Sequence, residues 1–437
     1  MESENIYSNL TKDRLAEDRQ KLSAKYEKFK AKGLKLNMTR GIPCKAQLDL
    51  SNDMLKLDLG ETGYMAADMG DFRNYCSPGG LMGTLEAREL FGELMGADSA
   101  SEVMVGGNSS LCLMHDTMAR SFIYGASEQS EPWHRLKDGK KAKFLCPVPG
   151  YDRHFSICES LGVEMINIKM TPGGPDMDEV EKLANFDPSV KGIWCVPKYS
   201  NPDGITYSGE TVKRLANLSP AAEDFRIYWD NAYIVHDLTE TGDELLNIFA
   251  ELKKNKKEDL VYMFASTSKI TFCGGGVAAI CASEKNIKYL SSKAFVQMIC
   301  PDKINQMRHV LFLKDKEGIK AQMKRHREII KPKFEAVING LECELGNTGL
   351  ARWTNPNGGY FISLYAPENC AKRTVALAAG AGLALTPAGA TYPYKKDPQD
   401  SNIRISPTFP PAEDLSLAAG LLGVCVKLAY IEKLIES

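Results

Sequence analysis

The sequence predicts an α/β protein. It should have a large unit on a mostly parallel, seven-stranded sheet and a smaller α+β unit behind it. Three observations carry this. From Val103 onward, short apolar runs alternate with amphipathic stretches of helical spacing, and strands separated by helices pair in parallel. The runs are apolar almost throughout, as in strands covered on both faces. The chain has 437 residues and is 43% hydrophobic, enough for two or three packed layers.

The elements follow in order. Residues 11–32 should form an amphipathic helix, with Thr11 as N-cap and Gly33 as its stop. Residues 38–49 read as extended, with Gly41-Ile42-Pro43 forcing a turn. The stretch from Arg73 through Asn74, Tyr75, Cys76, Ser77, Pro78 and Gly79 to Gly80 is a loop rich in turn residues. A helix over 84–95 follows. The alternating part then gives strand 102–105, helix 108–124, strand 142–147, helix 151–161, strand 165–170 and helix 176–185. It continues with strand 190–196, helix 208–218, strand 226–229, helix 243–254, and strands 260–265 and 277–282. The lysine run 253–257 reads as a solvated helix end. Helices should occupy 284–299 and 303–340, with Pro301 between them and Pro332 able to kink the second. Beyond Leu341 come strands near 342–345, 359–364 and 402–406, a helix over 369–380 and a last helix over 411–435. No repeat or low-complexity linker interrupts them. The expected division is an N-terminal helix and arm over 1–50 packing with the small domain, a large domain over 51–310, and a small α+β domain over 311–437.

Composition excludes several classes. The net charge of −2 and pI near 6.4 argue against nucleic acid or an anionic membrane as partner. No apolar run approaches the ~18 residues of a membrane span, and the polar, acidic start (Met1 to Asp18) is no signal peptide. The 12 cysteines stand singly, mostly in apolar runs (Cys112, Cys146, Cys195, Cys281, Cys425). They form no CxxC and no zinc pattern, so no metal is expected. They read as buried reduced thiols of a cytoplasmic protein.

Chemistry concentrates in one run, Ala265-Ser266-Thr267-Ser268-Lys269-Ile270-Thr271-Phe272-Cys273-Gly274-Gly275-Gly276. A lysine at the buried end of a strand is costly to keep charged. Its lowered pKa frees an amine able to attack a carbonyl and form a Schiff base. Serine hydroxyls and bare glycine backbone suit a phosphate. Lysine with phosphate points to pyridoxal phosphate, although Ser-x-Ser-Lys alone is as compatible with a solvated loop lysine. Other strand ends add to it. Gly106-Gly107-Asn108-Ser109-Ser110 opens a helix, where amides and the helix dipole favour an anion. Tyr151 leaves the next strand and is either a stacking platform or a core aromatic. Asn201 lies in the tight turn Asn201-Pro202-Asp203-Gly204. Asp230 ends an apolar strand and needs a cationic partner, for which a pyridinium nitrogen would serve. Tyr233 follows one turn later.

With these residues in view, the chain resembles the fold-type I, pyridoxal-phosphate-dependent aminotransferases of class I/II. It is most like the MocR-like aspartate aminotransferase type Ic group, from Arg40-Gly41 to the last helix. The resemblance rests on Tyr199-Ser200-Asn201-Pro202-Asp203-Gly204, Asp230 with Tyr233, Ser266-Thr267-Ser268-Lys269, and Asn402-Ile403-Arg404-Ile405-Ser406. It implies Lys269 as the Schiff-base lysine, Asp230 on the pyridine nitrogen, Asn201 and Tyr233 on the ring oxygen, and Tyr151 stacked on the ring. Gly107, Asn108, Ser109, Ser266 and Ser268 would hold the phosphate. Tyr75 would reach the phosphate across a homodimer interface. Arg404 would clamp the substrate's α-carboxylate with its guanidinium fork, and Gly41 would lie in the loop over the substrate. One position departs from the pattern. Val277 stands eight residues after the lysine, where the family places a phosphate-binding arginine, so other groups must neutralise the phosphate.

The resemblance implies transamination between an amino acid, aspartate or glutamate, and 2-oxoglutarate or oxaloacetate. A distal carboxylate then needs its own cation, for which Arg40, Lys303 and Arg308 are the candidates, with Asn305 beside them. The same residues would serve a C–S β-lyase or an amino-acid decarboxylase. A pyridoxal-phosphate-binding regulator would need a winged-helix domain, and only one helix without a basic face precedes Arg40.

Overall fold

A computed structural model describes residues 5–75 and 80–436. The large sheet runs in the order Val103–Val105, Ala278–Cys281, Val261–Ser266, Arg226–Asp230, Val190–Cys195, Lys143–Val148, Glu164–Thr171 and Gly174–Pro175. Seven of these strands answer the predicted sheet. The eighth is a two-residue return pairing antiparallel with Thr171 and Met170. Ala278–Cys281 is antiparallel to both of its neighbours, and the strands between Val261–Ser266 and Glu164–Thr171 are parallel. The four central strands, from Lys143–Val148 to Val261–Ser266, are buried almost throughout, because helices cover both faces.

Two apolar cores flank this sheet. One collects Trp229, Met263, Ile248 and Phe249; the other collects Phe144, Trp194, Tyr228 and Phe264. The split follows the strand period, since successive side chains point to opposite faces. A third core gathers Leu15 of the N-terminal helix, Phe334 and Leu341 of the long helix, Leu364 and Ile405 of a three-stranded sheet, and the last helix. That sheet pairs Arg352–Trp353, Ile362–Tyr365 and Asn402–Ile405 antiparallel. The N-terminal arm joins this body by parallel pairing of Leu36–Asn37 with Leu383–Ala384.

The helix Lys12–Lys30 is capped by Thr11, whose side chain accepts from the Arg14 amide. Several expectations need correction. Residues 342–345 are the end of the helix Lys316–Leu345, not a strand; nothing breaks the helix before Gly346, and Leu341 and Leu345 face its core. The expected single helix over 303–340 is two, Lys303–Leu313 and Lys316–Leu345. Between them Lys314 takes φ 65° and Asp315 caps the second helix through the Gly318 amide. Residues 45–49 are a short helix rather than extended. The helix predicted from 243 begins at Ile248, where Asn247 caps it. The lysine run is not simply solvated: Lys253 pairs with Asp98 and Glu102, each at 2.6 Å, and Lys257 donates to the Leu218 carbonyl. Cys112 is exposed, while Cys146, Cys195, Cys281 and Cys425 are buried. The last helix, Ala412–Glu436, is after all long and apolar enough to cross a membrane by length and composition, with mean hydropathy 1.6 over its most apolar window. That window is 67% buried inside the fold, as the central helix of a packed core would be. Cys76, Ser77, Pro78 and Gly79 of the predicted loop lie outside the described residues.

Candidate active site

The carboxyl ends of the parallel strands converge on one cleft, as the chain connectivity of such a sheet requires. Asp230 is the last residue of its strand, paired in register with Phe264, and is 2% exposed. Its Oδ2 lies 3.0 Å from His154 Nε2. Its Oδ1 is buried without a hydrogen-bond partner among the described residues. A buried carboxylate oxygen left unpaired costs free energy unless a donor arrives. His154 stacks on Trp194, with ring centroids 4.3 Å apart and planes at 10°. Tyr151 meets the same imidazole edge-on at 4.9 Å. Burial, and then the charge of Asp230, push the Tyr151 phenol up to about 12.

Lys269 follows the strand Val261–Ser266. Its Nζ lies 5.1 Å from the Tyr233 ring centroid and 5.8 Å from that of Tyr360. Burial lowers its pKa from the ordinary lysine value, while Asp230 and Cys273 oppose that shift. The Tyr233 phenol is held well above its usual pKa, chiefly by burial and then by Tyr151 and Asp230.

The glycine run behind Lys269 is fixed by its own backbone. Thr267 N donates to Val277 O at 2.8 Å, and Val277 N donates to Thr267 Oγ1 at 2.9 Å. Val277 is 2% exposed, so its side chain fills the core. A Cβ on Gly276 would stand 3.1 Å from Ser268 N and 3.2 Å from Asn108 O, so a side chain there would crowd the meeting of these two segments. Ser268 Oγ donates to Asn108 O at 3.0 Å. Gly107 and Asn108 are exposed and precede the helix Ser110–Tyr124, which Ser109 caps through the Leu111 amide. Ser266 pairs with Ala278 at the strand end. Three half-exposed serines (Ser109, Ser266 and Ser268), an exposed asparagine and the open start of a fifteen-residue helix thus share one corner.

Opposite lies Arg404, 6% exposed, from the three-stranded sheet. One terminal nitrogen donates to Asp152 Oδ1 at 2.7 Å and to Asn201 Oδ1 at 3.3 Å, and the other to Thr386 Oγ1 at 3.3 Å. Its Nε is buried with no partner among the described residues. The guanidinium carbon sits 5.0 Å from the Phe361 ring centroid. Gly41 packs on that same ring, where a Cβ would come within 2.7 Å of Cζ.

The remaining candidates are tied less closely to this cluster. Tyr75 is 70% exposed. Arg40 is exposed, with no side-chain partner among the described residues; its carbonyl accepts from Ser406 Oγ at 2.8 Å. Lys303 is 3% exposed and donates at 2.6 Å to the Asn74 carbonyl, holding the loop that carries Tyr75. Asn305 donates to the carbonyls of Gly275 and Gly276, both at 3.1 Å. Arg308 is half-buried, with its Nε unpartnered. No His, Cys, Asp and Glu cluster fit for a metal occurs among the described residues.

Sequence reasoning missed His154, Asp152, Thr386, Tyr360 and Phe361. His154 had a usable signal: three residues after Tyr151 at a helix start, it must lie on the same side of the helix. Asp152 and Thr386 had none, since only the tertiary fold brings them to Arg404.

The chain matches the family model described as aspartate amino-transferase over residues 10–437. It is 45% identical over 430 residues to a Mycolicibacterium smegmatis protein named as an aminotransferase, covering 98% of this chain and 99% of that one. It is 42% identical over 411 residues to an aspartate aminotransferase of Corynebacterium glutamicum, covering 94% and 93%. A solved aspartate transaminase from Corynebacterium glutamicum superposes with a TM-score of 0.91 at 41% identity, covering 96% of this chain and 97% of that one.

Proposed function

The chain belongs to the aspartate amino-transferase family and is an aminotransferase of fold type I; within that family, we propose that it moves the amino group of aspartate or glutamate to 2-oxoglutarate or oxaloacetate, using pyridoxal phosphate. The observation that carries this reading is a partly buried lysine of lowered pKa within the field of Asp230, whose Oδ1 is buried with no partner among the described residues. That oxygen fits a protonated ring nitrogen, and the serine-lined helix start fits a phosphate. When bound, the cofactor supplies an electron-withdrawing ring and the carbon that carries the amino group between the two acids.

The residues then divide the work. Asp230, oriented by His154, would keep the ring nitrogen protonated. Tyr151 would support the ring face, and Asn201 and Tyr233 would donate to the ring oxygen. Gly107, Asn108, Ser109, Ser266 and Ser268 would hold the phosphate in place of the missing arginine, with Tyr75 of a second copy reaching it in a homodimer. Arg404 receives the substrate's α-carboxylate, its fork held by Asn201 and Thr386 and backed by Phe361. Lys269 Nζ would take the proton from the substrate's Cα as general base and, as acid, deliver it to the cofactor carbon that carries the amino group. Gly41 lets the neighbouring loop lie flat on Phe361. Arg40, one residue away, is our choice for the distal carboxylate over Lys303, which is engaged by Asn74.

A half-reaction screen tests the reading: each amino acid is mixed with the holoenzyme, and loss of the lysine-bound cofactor's absorbance is followed. Aspartate or glutamate should react fastest. A preference for neutral donors overturns the dicarboxylate assignment. Release of carbon dioxide or of a thiol, rather than a 2-oxo acid, would favour the decarboxylase or β-lyase reading instead.

A further inference from the structure

We propose a second binding site, on the reverse face of the large sheet from Lys269, for a small aromatic carboxylate that also carries a hydrogen-bond donor. It is a cavity of about 670 Å³, within the range of about 300–1,000 Å³ usual for small-molecule sites. Strand alternation places it. Asp230 points to the cleft, so Trp229 and Asn231 point away from it. Both line the cavity, with Met263 from the neighbouring strand. Leu246, Ile248 and Met323 extend the apolar wall.

Two features mark it as more than an apolar groove. The first is Asn231, 4% exposed, whose Oδ1 is buried with no hydrogen-bond partner among the described residues. A buried amide oxygen is rarely left unpaired, and here it belongs to a residue of the cavity wall, where an occupant can supply the donor. The second is charge. Lys316, Lys320, Lys324 and Arg327 line the rim from one helix. Their spacing of four, four and three sets them in one stripe. Lys320 is paired with Glu317 at 2.7 Å, and Arg327 donates to the Thr239 carbonyl at 2.7 Å. Lys316 and Lys324 have no ion-pair partner among the described residues. The acids of the lining are Glu93, Asp237 and Glu240. Asp237 is neutralised by Lys198 at 2.8 Å, and Glu93 accepts from the Lys316 amide at 3.2 Å. The rim therefore carries a net positive charge that draws an anion. A flat apolar body would lie against the half-buried Ile234, Val235 and Leu246, its donor on Asn231 and its carboxylate at Lys316 and Lys324.

The probe is indole-3-acetate, titrated into the holoenzyme by calorimetry. One molecule per chain should bind, and binding should persist in Arg404→Ala, which disables the anion site of the cleft. Lys316→Glu with Lys324→Glu, both away from the core, should weaken it at least tenfold. Naphthalene-1-acetate, which lacks the N–H, should bind several-fold less well, and the difference should vanish in Asn231→Leu. Tryptamine, which lacks the carboxylate, should not compete. Binding lost in Arg404→Ala but kept in the double lysine variant would assign the ligand to the cleft and overturn the proposal. So would the absence of binding at millimolar probe, or equal affinity for tryptamine. The outcome does not depend on which amino donor the enzyme uses.

Discussion

The two halves of the active site are built differently. On the strand-end side, Lys269, Asp230, Tyr151 and Asn201 are tied within a single chain by His154, Arg404 and the Thr267–Val277 hydrogen bonds. On the edge side, Arg40 and Tyr75 stand exposed, and Arg308 keeps a buried donor unpartnered. Lys303 serves backbone rather than the cleft. The first half is preorganised, as electrostatic catalysis demands. The second presents groups with few side-chain partners among the described residues. Phe295 and Val296, 76% and 79% exposed, add an uncovered apolar patch of the kind that marks an interface. Chemistry should therefore fail completely when the first half is touched, and selectively when the second is.

The largest effect tests the first half. Lys269→Ala should abolish turnover, while cofactor still binds noncovalently through the phosphate and ring contacts. Spectra after gel filtration, together with an activity assay, check both points, and near-wild-type activity would remove the assignment. Asp230→Asn should keep the fold and lose roughly a hundred- to a thousandfold in kcat, the scale of a lost catalytic electrostatic contact. A loss under about tenfold, or ~1.4 kcal/mol, would make Asp230 structural. His154→Phe should cost less, because the carboxylate remains and only its orientation is loosened.

The second half should respond selectively. Arg40→Ala should cut kcat/KM for aspartate by roughly tenfold, ~1.4 kcal/mol, while sparing alanine. Equal losses with both donors would mean that Arg40 serves the cofactor or the loop. Lys303→Ala should be such a case, about tenfold for both donors, because it releases the Asn74 carbonyl and the loop bearing Tyr75. Mixing Tyr75→Phe with Lys269→Ala subunits should regenerate some active sites if Tyr75 acts across an interface; fully active monomers in sedimentation would contradict that.

The same contrast explains what the sequence made legible. Strand ends are visible as apolar runs followed by polar turns, so Lys269, Asp230, Asn201 and the glycine run could be read in order. Val277 was legible as a departure, and its burial shows why no arginine side chain fits there. Contacts made at long range were not legible. Asp152 meets Arg404 across 252 residues, and no local pattern records that. Residues 342–345 misled because an apolar run of helical and of strand residues looks alike over four positions. The break at Lys314–Asp315 was hidden because neither residue is glycine or proline; the Asp315 cap was its only local mark.

The smallest predicted effect is a titration inside the preorganised half. In cofactor-free protein, burial lowers the Lys269 pKa, and the negative charge of Asp230 partly restores it. The free amine should therefore be available at a lower pH than for an exposed lysine, whose pKa is about 10.4. Asp230→Asn removes the restoring charge, so the pKa should fall further. The pH dependence of Lys269 acylation, read by peptide mass, measures this directly: the midpoint should lie below that of surface lysines in the same digest, and lower again in Asp230→Asn. The sign also reaches stability. Between the depressed folded pKa and the unfolded one, the unfolded chain binds the extra proton, so raising the pH through that window should stabilise the cofactor-free protein. Lys269→Met deletes the titrating group and should flatten that contribution. A midpoint for Lys269 equal to that of the surface lysines would mean its amine is solvated, and the strand-end half would lose the preorganisation that separates it from the edge.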